Sequence, residues 1–404
     1  MVSQTSESTG ERAPEQWSSR ERNLAALFTV ILTRGPISRR DAARDLGVSA
    51  AAVTKLVKPM LAHGYVNESA GLSEGPGRPQ IPLVIDAKRH TAVGVKVTDR
   101  ELIGVIVDLH AGILGSARVP LDDNRPERAV RAVADLARDL LDRPGLQGEC
   151  VGVGVGLGGH IDGRRGLVRY SPMLDWRDVP FRRLLADELH LPVLIENDVN
   201  SLAVAEQWFG AGRDTASFIV VTVGAGVGGA IVIDGQLLHG VSGAAGEFGH
   251  NIVDPQGPLC HCGKRGCVEA FAGDEAIIRA IGTRDGRPMA NLAEAVALAH
   301  GGDRTARRVF VQAGRALGQG LAGFVNLVNP PLAILSGEGI SASDLFIDAL
   351  QEEFARSSFS SSAGDCRLLV RPLPDETWAR GAAATMLRHG VLRSLTALTS
   401  EIPL

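Results

Sequence analysis

Between Gly249 and Glu269 the chain sets one histidine, His250, then nine residues, then Cys260-His261-Cys262-Gly263-Lys264-Arg265-Gly266-Cys267. No other stretch restricts local folding as strongly. Three thiolates and an imidazole make the closed tetrahedral donor set of a structural zinc site. His250, Cys260, Cys262 and Cys267 are the expected ligands, with Zn2+ as the cofactor, and Gly263 and Gly266 let the chain turn between Cys262 and Cys267. His261 lies between two ligands and could compete with His250, at the expense of strain in its neighbours. The bland alternative is a loop of free cysteines. Five cysteines in all, an odd number with three clustered, suit a metal site in a reducing cytoplasm better than disulfides. A closed zinc has no open coordination position, so it would hold the loop 247–269 and its polar residues Glu247, His250 and Glu269 rather than react.

A chain of 404 residues is long for one domain and suggests two or three. Its 48 glycines and 4% aromatic content suit α/β layers with many tight strand–loop junctions. The formal charge of −4 is unevenly spread. Residues 18–89 carry 11 Lys/Arg against 6 Asp/Glu, which hints at a nucleic-acid surface, though such charge often does no more than solvate. Residues 1–17 lack an apolar run and read as a disordered tail. The most apolar segment, Thr215–Ile233, contains Gly224, Gly226, Gly228 and Gly229 and reads as strand–turn–strand, not a membrane span. A cytoplasmic protein with no membrane partner is expected.

Residues 18–89 read as a winged helix-turn-helix. Leu24, Leu27, Phe28, Ile31 and Leu32 form the apolar stripe of a first helix, which Gly35-Pro36 stops. Ser38 caps a second helix, Gly47-Val48 makes the turn, and Ser49 caps a third through about Ala62. Pro59 inside this helix predicts a kink. A recognition helix presents its N-terminal residues to the major groove. Here these are Ser49, Ala50, Ala51 and Thr54, with Lys55 and Lys58 placed for phosphates. A strand, a glycine-rich loop and a second strand follow. Arg78 in Gly77-Arg78-Pro79 is suited to a narrow minor groove. The alternative is a three-helix interaction module with a basic face.

From residue 90 to 404 apolar strands alternate with helices: strands at Thr91–Val97, Glu101–Asp108, Cys150–Gly156 and Val193–Glu196, helices at Arg128–Leu141 and Phe181–Leu189. This predicts a doubly wound α/β fold. Val93–Asp108 is echoed 126 residues later by Ile219–Asp234, each a strand–turn–strand ending in Asp. Two such hairpins can hold nucleotide phosphates, with glycines for close backbone approach and a carboxylate for Mg2+. The second, Val221–Gly229, is intact; the first has no glycine in its turn and carries cations at Lys96 and Arg100. Phosphoryl transfer is therefore not expected. The glycines of the second hairpin also have a purely structural reading, as a turn kept for packing. Glu196-Asn197-Asp198 ends an apolar strand, where ligands of open α/β sheets gather. Asp198 could equally be the N-cap of the following helix.

Taken together, the wing, the Glu-Asn-Asp, the second glycine hairpin and the His…Cys-x-Cys…Cys segment resemble the ROK family of repressors and sugar kinases, its repressor branch above all. The resemblance runs from about Ser18 to the C-terminus. It implies a two-lobed actin-like, sugar-kinase-like (ribonuclease H-like) domain behind the winged helix-turn-helix. It implies sugar-hydroxyl contacts from Asn197, Asp198, Glu247, His250 and Glu269, and zinc on His250, Cys260, Cys262 and Cys267. Asp198 matches the kinase base and would be vestigial here, while Leu335–Ile340 lies where kinase members contact adenosine. It further implies a homodimer or homotetramer, a palindromic double-stranded DNA operator and a sugar or sugar phosphate effector. The function expected is a sugar-responsive regulator, most simply a repressor. The rival is an ATP-dependent sugar kinase carrying a DNA-binding unit.

Overall fold

The computed structural model describes residues 18–69, 81–285 and 289–397. The tail expected over 1–17 and the wing residue Arg78 lie outside the described residues.

Local signals account for the first unit. Helix α1 (Ser19–Arg34) begins at a reciprocal cap: Ser18 Oγ accepts from the Glu21 amide, and the Glu21 carboxylate accepts from the Ser18 amide. Amides that a helix start leaves unpaired are thereby satisfied. Its stripe of Leu24, Leu27, Phe28, Ile31 and Leu32 is buried. Helix α2 (Arg39–Leu46) is capped by Ser38 and ends at Gly47, whose φ of 64° is left-handed. Helix α3 (Ala50–Ala62) is capped by Ser49 and runs through Pro59. Strands β1 (Val66–Glu68) and β2 (Leu83–Ile85) then pair antiparallel, Val66 opposite Ile85.

Two five-stranded sheets make the two lobes. The first lobe contains β3 (His90–Val97), β4 (Glu101–Asp108), β5 (Ile113–Pro120), α4 (Pro126–Leu141), β6 (Glu149–Leu157), β7 (His160–Asp162), β8 (Leu167–Ser171), β9 (Trp176–Val179), α5 (Phe181–Leu189), β10 (Val193–Asn197) and α6 (Asp198–Phe209). The second contains β11 (Phe218–Val223), β12 (Val227–Ile233), β13 (Gln236–Leu237), α7 (Glu269–Ala272), α8 (Asp274–Asp285), α9 (Leu292–His300), α10 (Arg304–Val328), β14 (Leu332–Ser336), α11 (Ile347–Ser357), α12 (Ser362–Asp365) and β15 (Arg367–Val370). The sheets run β5-β4-β3-β6-β10 and β13-β12-β11-β14-β15. In each, an antiparallel hairpin (β3–β4 or β11–β12) is flanked by two parallel strands. The 126-residue echo therefore corresponds to equivalent hairpins in equivalent sheets. Every position of β3 and of β11 is buried, as strands covered on both faces require.

The last helix, α13 (Glu376–Ala397), lies on the first sheet and ties the units together. Its backbone comes so close that only glycine fits below it. A Cβ on Gly94 would stand 2.0 Å from the Ala379 carbonyl oxygen, and one on Gly154 2.0 Å from that of Ala382. Ala379, Ala383, Leu387 and Leu395 of α13 share one core with Leu24, Phe28 and Ile31 of α1, Val57 of α3, and Ala92 and Val105 of the sheet. The N-terminal unit is thus packed on the first lobe and does not hang on a free tether.

Gly94→Ala is expected to lower the urea midpoint, destabilising by about 1–3 kcal/mol through overpacking. Gly323 lies within α10 with open space around it, so Gly323→Ala should stabilise by about 0.5–1 kcal/mol. Equal effects at the two glycines would contradict the packing described.

Candidate functional site

The carboxyl end of β10 delivers Glu196, Asn197 and Asp198 to the space between the lobes, because β10 runs parallel to β6 and turns directly into α6. The cap of α6 is Asn197, not Asp198. Asn197 Oδ1 accepts from the Val199 and Asn200 amides at 2.9 and 3.1 Å, and its Nδ2 donates to the Gly159 carbonyl at 3.0 Å. Asp198 is the first helical residue, one carboxylate oxygen taking the Val199 amide at 2.9 Å. Its other oxygen faces Gly158, where an added Cβ would lie 3.7 Å away. Burial pushes the Asp198 carboxyl up, Lys96 opposes the shift and Glu338 reinforces it.

Glu196 is buried and fully engaged. Its Oε1 accepts from the Asn197 amide and from Asn200 Nδ2, each at 2.9 Å, and its Oε2 lies 2.8 Å from His239 Nε2. His160 Nε2 lies 2.9 Å from the Ser242 carbonyl. Two histidine contacts thus fasten residues 239–242 over the first lobe.

The segment after Ser242 brings Glu247 and His250 to the same space. The Glu247 carboxyl is pushed up by burial, with His250 and His160 opposing and Glu269 and Asp198 adding. Glu247 therefore senses three of the other candidate sugar residues, Asp198, His250 and Glu269. Asn197 is adjacent, with both ends of its amide committed to the protein. Glu269 is committed as well. Its Oε2 accepts from the Val227 amide of the second glycine hairpin at 3.0 Å, and its Oε1 lies 2.7 Å from His261 Nδ1.

His250, Cys260, Cys262 and Cys267 present donor atoms that all lie within 4.8 Å of one another. Cys262 Sγ and Cys267 Sγ are 3.7 Å apart, and Cys260 Sγ is 3.6 Å from His250 Nδ1. Zinc bonds of ≈ 2.3 Å to sulfur and ≈ 2.0–2.1 Å to nitrogen span tetrahedron edges of about 3.8 and 3.5 Å. A disulfide would need sulfurs near 2.05 Å. The donor set fits a tetrahedral metal bound through Nδ1 of His250. His261 is drawn aside by Glu269. Gly266, at φ 71°, allows the turn, since a Cβ there would lie 1.5 Å from the Asp254 carbonyl oxygen.

In the first hairpin Lys96 points inward. Its Nζ is 2.7 Å from Glu338 Oε1 of the second lobe and 4.2 Å from the centre of the Trp378 ring. On α3, Val53, Leu56, Val57 and Met60 are buried, whereas Ser49, Ala50, Ala51, Thr54, Lys55 and Lys58 all face solvent. Sequence reasoning missed His160, His239 and Glu338, whose partners are far away along the chain.

These features define a two-lobed α/β protein whose cleft joins a carboxylate cluster, a glycine hairpin and a cysteine-rich loop. The ROK family model matches residues 92–389, and the chain belongs to the ROK family. It is 27% identical over 368 residues to a xylose repressor of Bacillus spizizenii, covering 91% of this chain and 95% of that one. It is 33% identical over 284 residues to a glucokinase of Thermotoga maritima, covering 66% of this chain and 87% of that one. A ROK family transcriptional regulator, homolog of the E. coli MLC protein, superposes with a TM-score of 0.80 at 24% identity, over 93% of this chain and 98% of that one.

His239 has its pKa raised above the ordinary 6.5, first by its hydrogen bond to Glu196. A raised folded-state pKa adds stability that is present below the unfolded value and is lost as pH rises through the folded one. His239→Ala should therefore destabilise more at pH 6 than at pH 8.5 in denaturant melts; a pH-independent difference would contradict the pairing.

Proposed function

We propose that this chain is a sugar-responsive, DNA-binding transcription regulator, most simply a repressor, that does not act as a kinase. The observation that carries the reading is the reach of the repressor alignment. At 91% of the chain it is too long to fit within residues 90–404 and must extend into the N-terminal unit, whereas the glucokinase match covers 66%.

In this reading the three helices and the β1–β2 pair form a winged helix-turn-helix. Ser49, Ala50, Ala51 and Thr54 meet base edges, Lys55 and Lys58 meet phosphates, and Arg78 enters the minor groove. Asn197, Asp198, Glu247, His250 and Glu269 accept from and donate to sugar hydroxyls. Asp198 would serve a kinase as base, but the first hairpin offers Lys96 in place of a metal-binding carboxylate. His250, Cys260, Cys262 and Cys267 hold a structural zinc, which when bound fixes the loop that presents Glu247 and Glu269. No helix among the described residues is long and apolar enough to cross a membrane. A homodimer or homotetramer would match a palindromic operator. Sugar binding favours one arrangement of the lobes, and the N-terminal unit packed on the first lobe moves with it.

The rival kinase reading draws on the glucokinase identity and the intact second hairpin. Duplexes selected from a random library should bind the protein, and D-xylose, D-glucose or N-acetylglucosamine should shift that affinity about tenfold. Lys55→Ala and Lys58→Ala should each reduce the salt slope by about one. Turnover of ATP on these sugars that Asp198→Asn abolishes would contradict the reading. Metal analysis should find one zinc per chain, and Cys267→Ser should lose it and lower the melting temperature by roughly 5 °C or more; an unchanged metal content would contradict the site.

A further inference from the structure

The space beside the second glycine hairpin holds an ion pair of the protein itself. Lys96, on β3 of the first lobe, and Glu338, just beyond β14 of the second, meet at 2.7 Å. The Lys96 side chain is 8% exposed and the Glu338 side chain 49%. Glu338's second oxygen lies against the hairpin, since a Cβ on Gly224 would stand 2.6 Å from it. Glycine turns of this kind are anion cradles because nothing shields their backbone. Here a carboxylate of the chain lies beside the turn, while the hairpin's Val227 amide is taken by a second one, Glu269.

We propose that Glu338 is a resident anion that, paired with Lys96, restricts the cleft to uncharged sugars and excludes sugar phosphates and nucleotides. The inference rests on the reading of this cleft as a sugar site and names the ligand class that the site accepts.

The surroundings carry the argument further. Asp274, at the start of α8, donates its amide to the Gly224 carbonyl at 2.9 Å, and its own Oδ1 is buried with no hydrogen-bond partner. Burial, and then the charge of Glu338, push the Asp274 carboxyl up to about 6. Asp198 senses both Lys96 and Glu338 from the other side. Glu338, which holds the Lys96 ammonium, is thus sensed by Asp198 on one side and Asp274 on the other. An arriving phosphate has to displace Glu338 from Lys96 and then stand beside Asp274 and Asp198, with like charges at short range in a partly desolvated space. An uncharged sugar meets no such opposition. Its hydroxyls donate to the carboxylates that a phosphate would be repelled by, and the Lys96–Glu338 pair stays closed beside it. Lys96 cannot serve as a free phosphate-binding lysine while Glu338 holds it.

The test is calorimetry and thermal shift on the full chain with matched probes: D-glucose against glucose 6-phosphate, D-xylose against xylose 5-phosphate, N-acetylglucosamine against its 6-phosphate, and pyrophosphate alone. The wild type is expected to bind one of the sugars at least about tenfold tighter than its phosphate, and to leave pyrophosphate unbound. Glu338→Gln should raise pyrophosphate affinity about tenfold or more, because Lys96 is then buried without a counter-charge. Asp274→Asn, which leaves the ion pair in place, should raise it less and guards against a misfolded first variant. A phosphate that binds tighter than its parent sugar overturns the proposal, as does pyrophosphate affinity unmoved in two folded variants. If no sugar binds at all, the sugar-sensor reading fails, and the pyrophosphate arm alone decides whether Glu338 excludes anions.

Discussion

Helix α13 lying directly on the first sheet is the contact on which the rest of this structure depends. Gly94 and Gly154 let its backbone reach theirs, and Gly381 does the same toward the Ser201 carbonyl of α6, 2.1 Å from where a Cβ would stand. The same helix enters the core of α1 and α3. The strand end that carries Glu196–Asp198, the helix that starts on Asp198 and the exposed face of α3 are therefore parts of one packed body. Packed interiors do not deform continuously, so a change of lobe arrangement is passed on as a rigid displacement. This is the physical basis for reading the large domain as a sensor for the small one.

A second dependence runs through Glu269. One oxygen takes the Val227 amide of the second hairpin; the other sits by His261 in the cysteine loop. The carboxylate joins the candidate metal centre to the glycine hairpin and, through its field on Glu247, to the cleft. A metal at Cys260, Cys262, Cys267 and His250 would thus order a segment that has few apolar residues of its own to bury. The cysteine core is small: Cys260 and Cys267 pack with Ala270.

What the sequence made legible follows from how local each signal is. Serine caps, helix stripes and buried strands are encoded within a few residues, so α1–α3, β3, β4, β6, β10 and the doubled hairpin were readable. β5 was not, because it is an exposed edge strand whose pattern, with Ser116 and Arg118, lacks a continuous apolar face. At the site, the ligand spacing of the cysteine loop could be read directly. The choice between His250 and His261 could only be argued from strain, since the contact of His261 with Glu269 that bears on it joins residues the spacing does not pair. Asn197 and Asp198 were both visible, yet which one caps α6 depends on backbone geometry that neighbours in sequence do not reveal. Lys96 stood out as a cation in the wrong place; its partner Glu338 lies 242 residues away, and only the closing of the two lobes brings them together. His239 and His160 were hidden for the same reason.

The central claim is that the cleft and the exposed face of α3 belong to one thermodynamic unit. Linkage makes this testable from the side opposite to the usual assay, because two coupled ligands must change each other's affinity by the same factor. The decisive measurement is the affinity for the effector sugar, by calorimetry, with and without saturating operator duplex. The account predicts that the sugar's Kd shifts by the same factor by which the sugar shifts operator binding. A sugar affinity that is identical in the free and the operator-bound protein would contradict it.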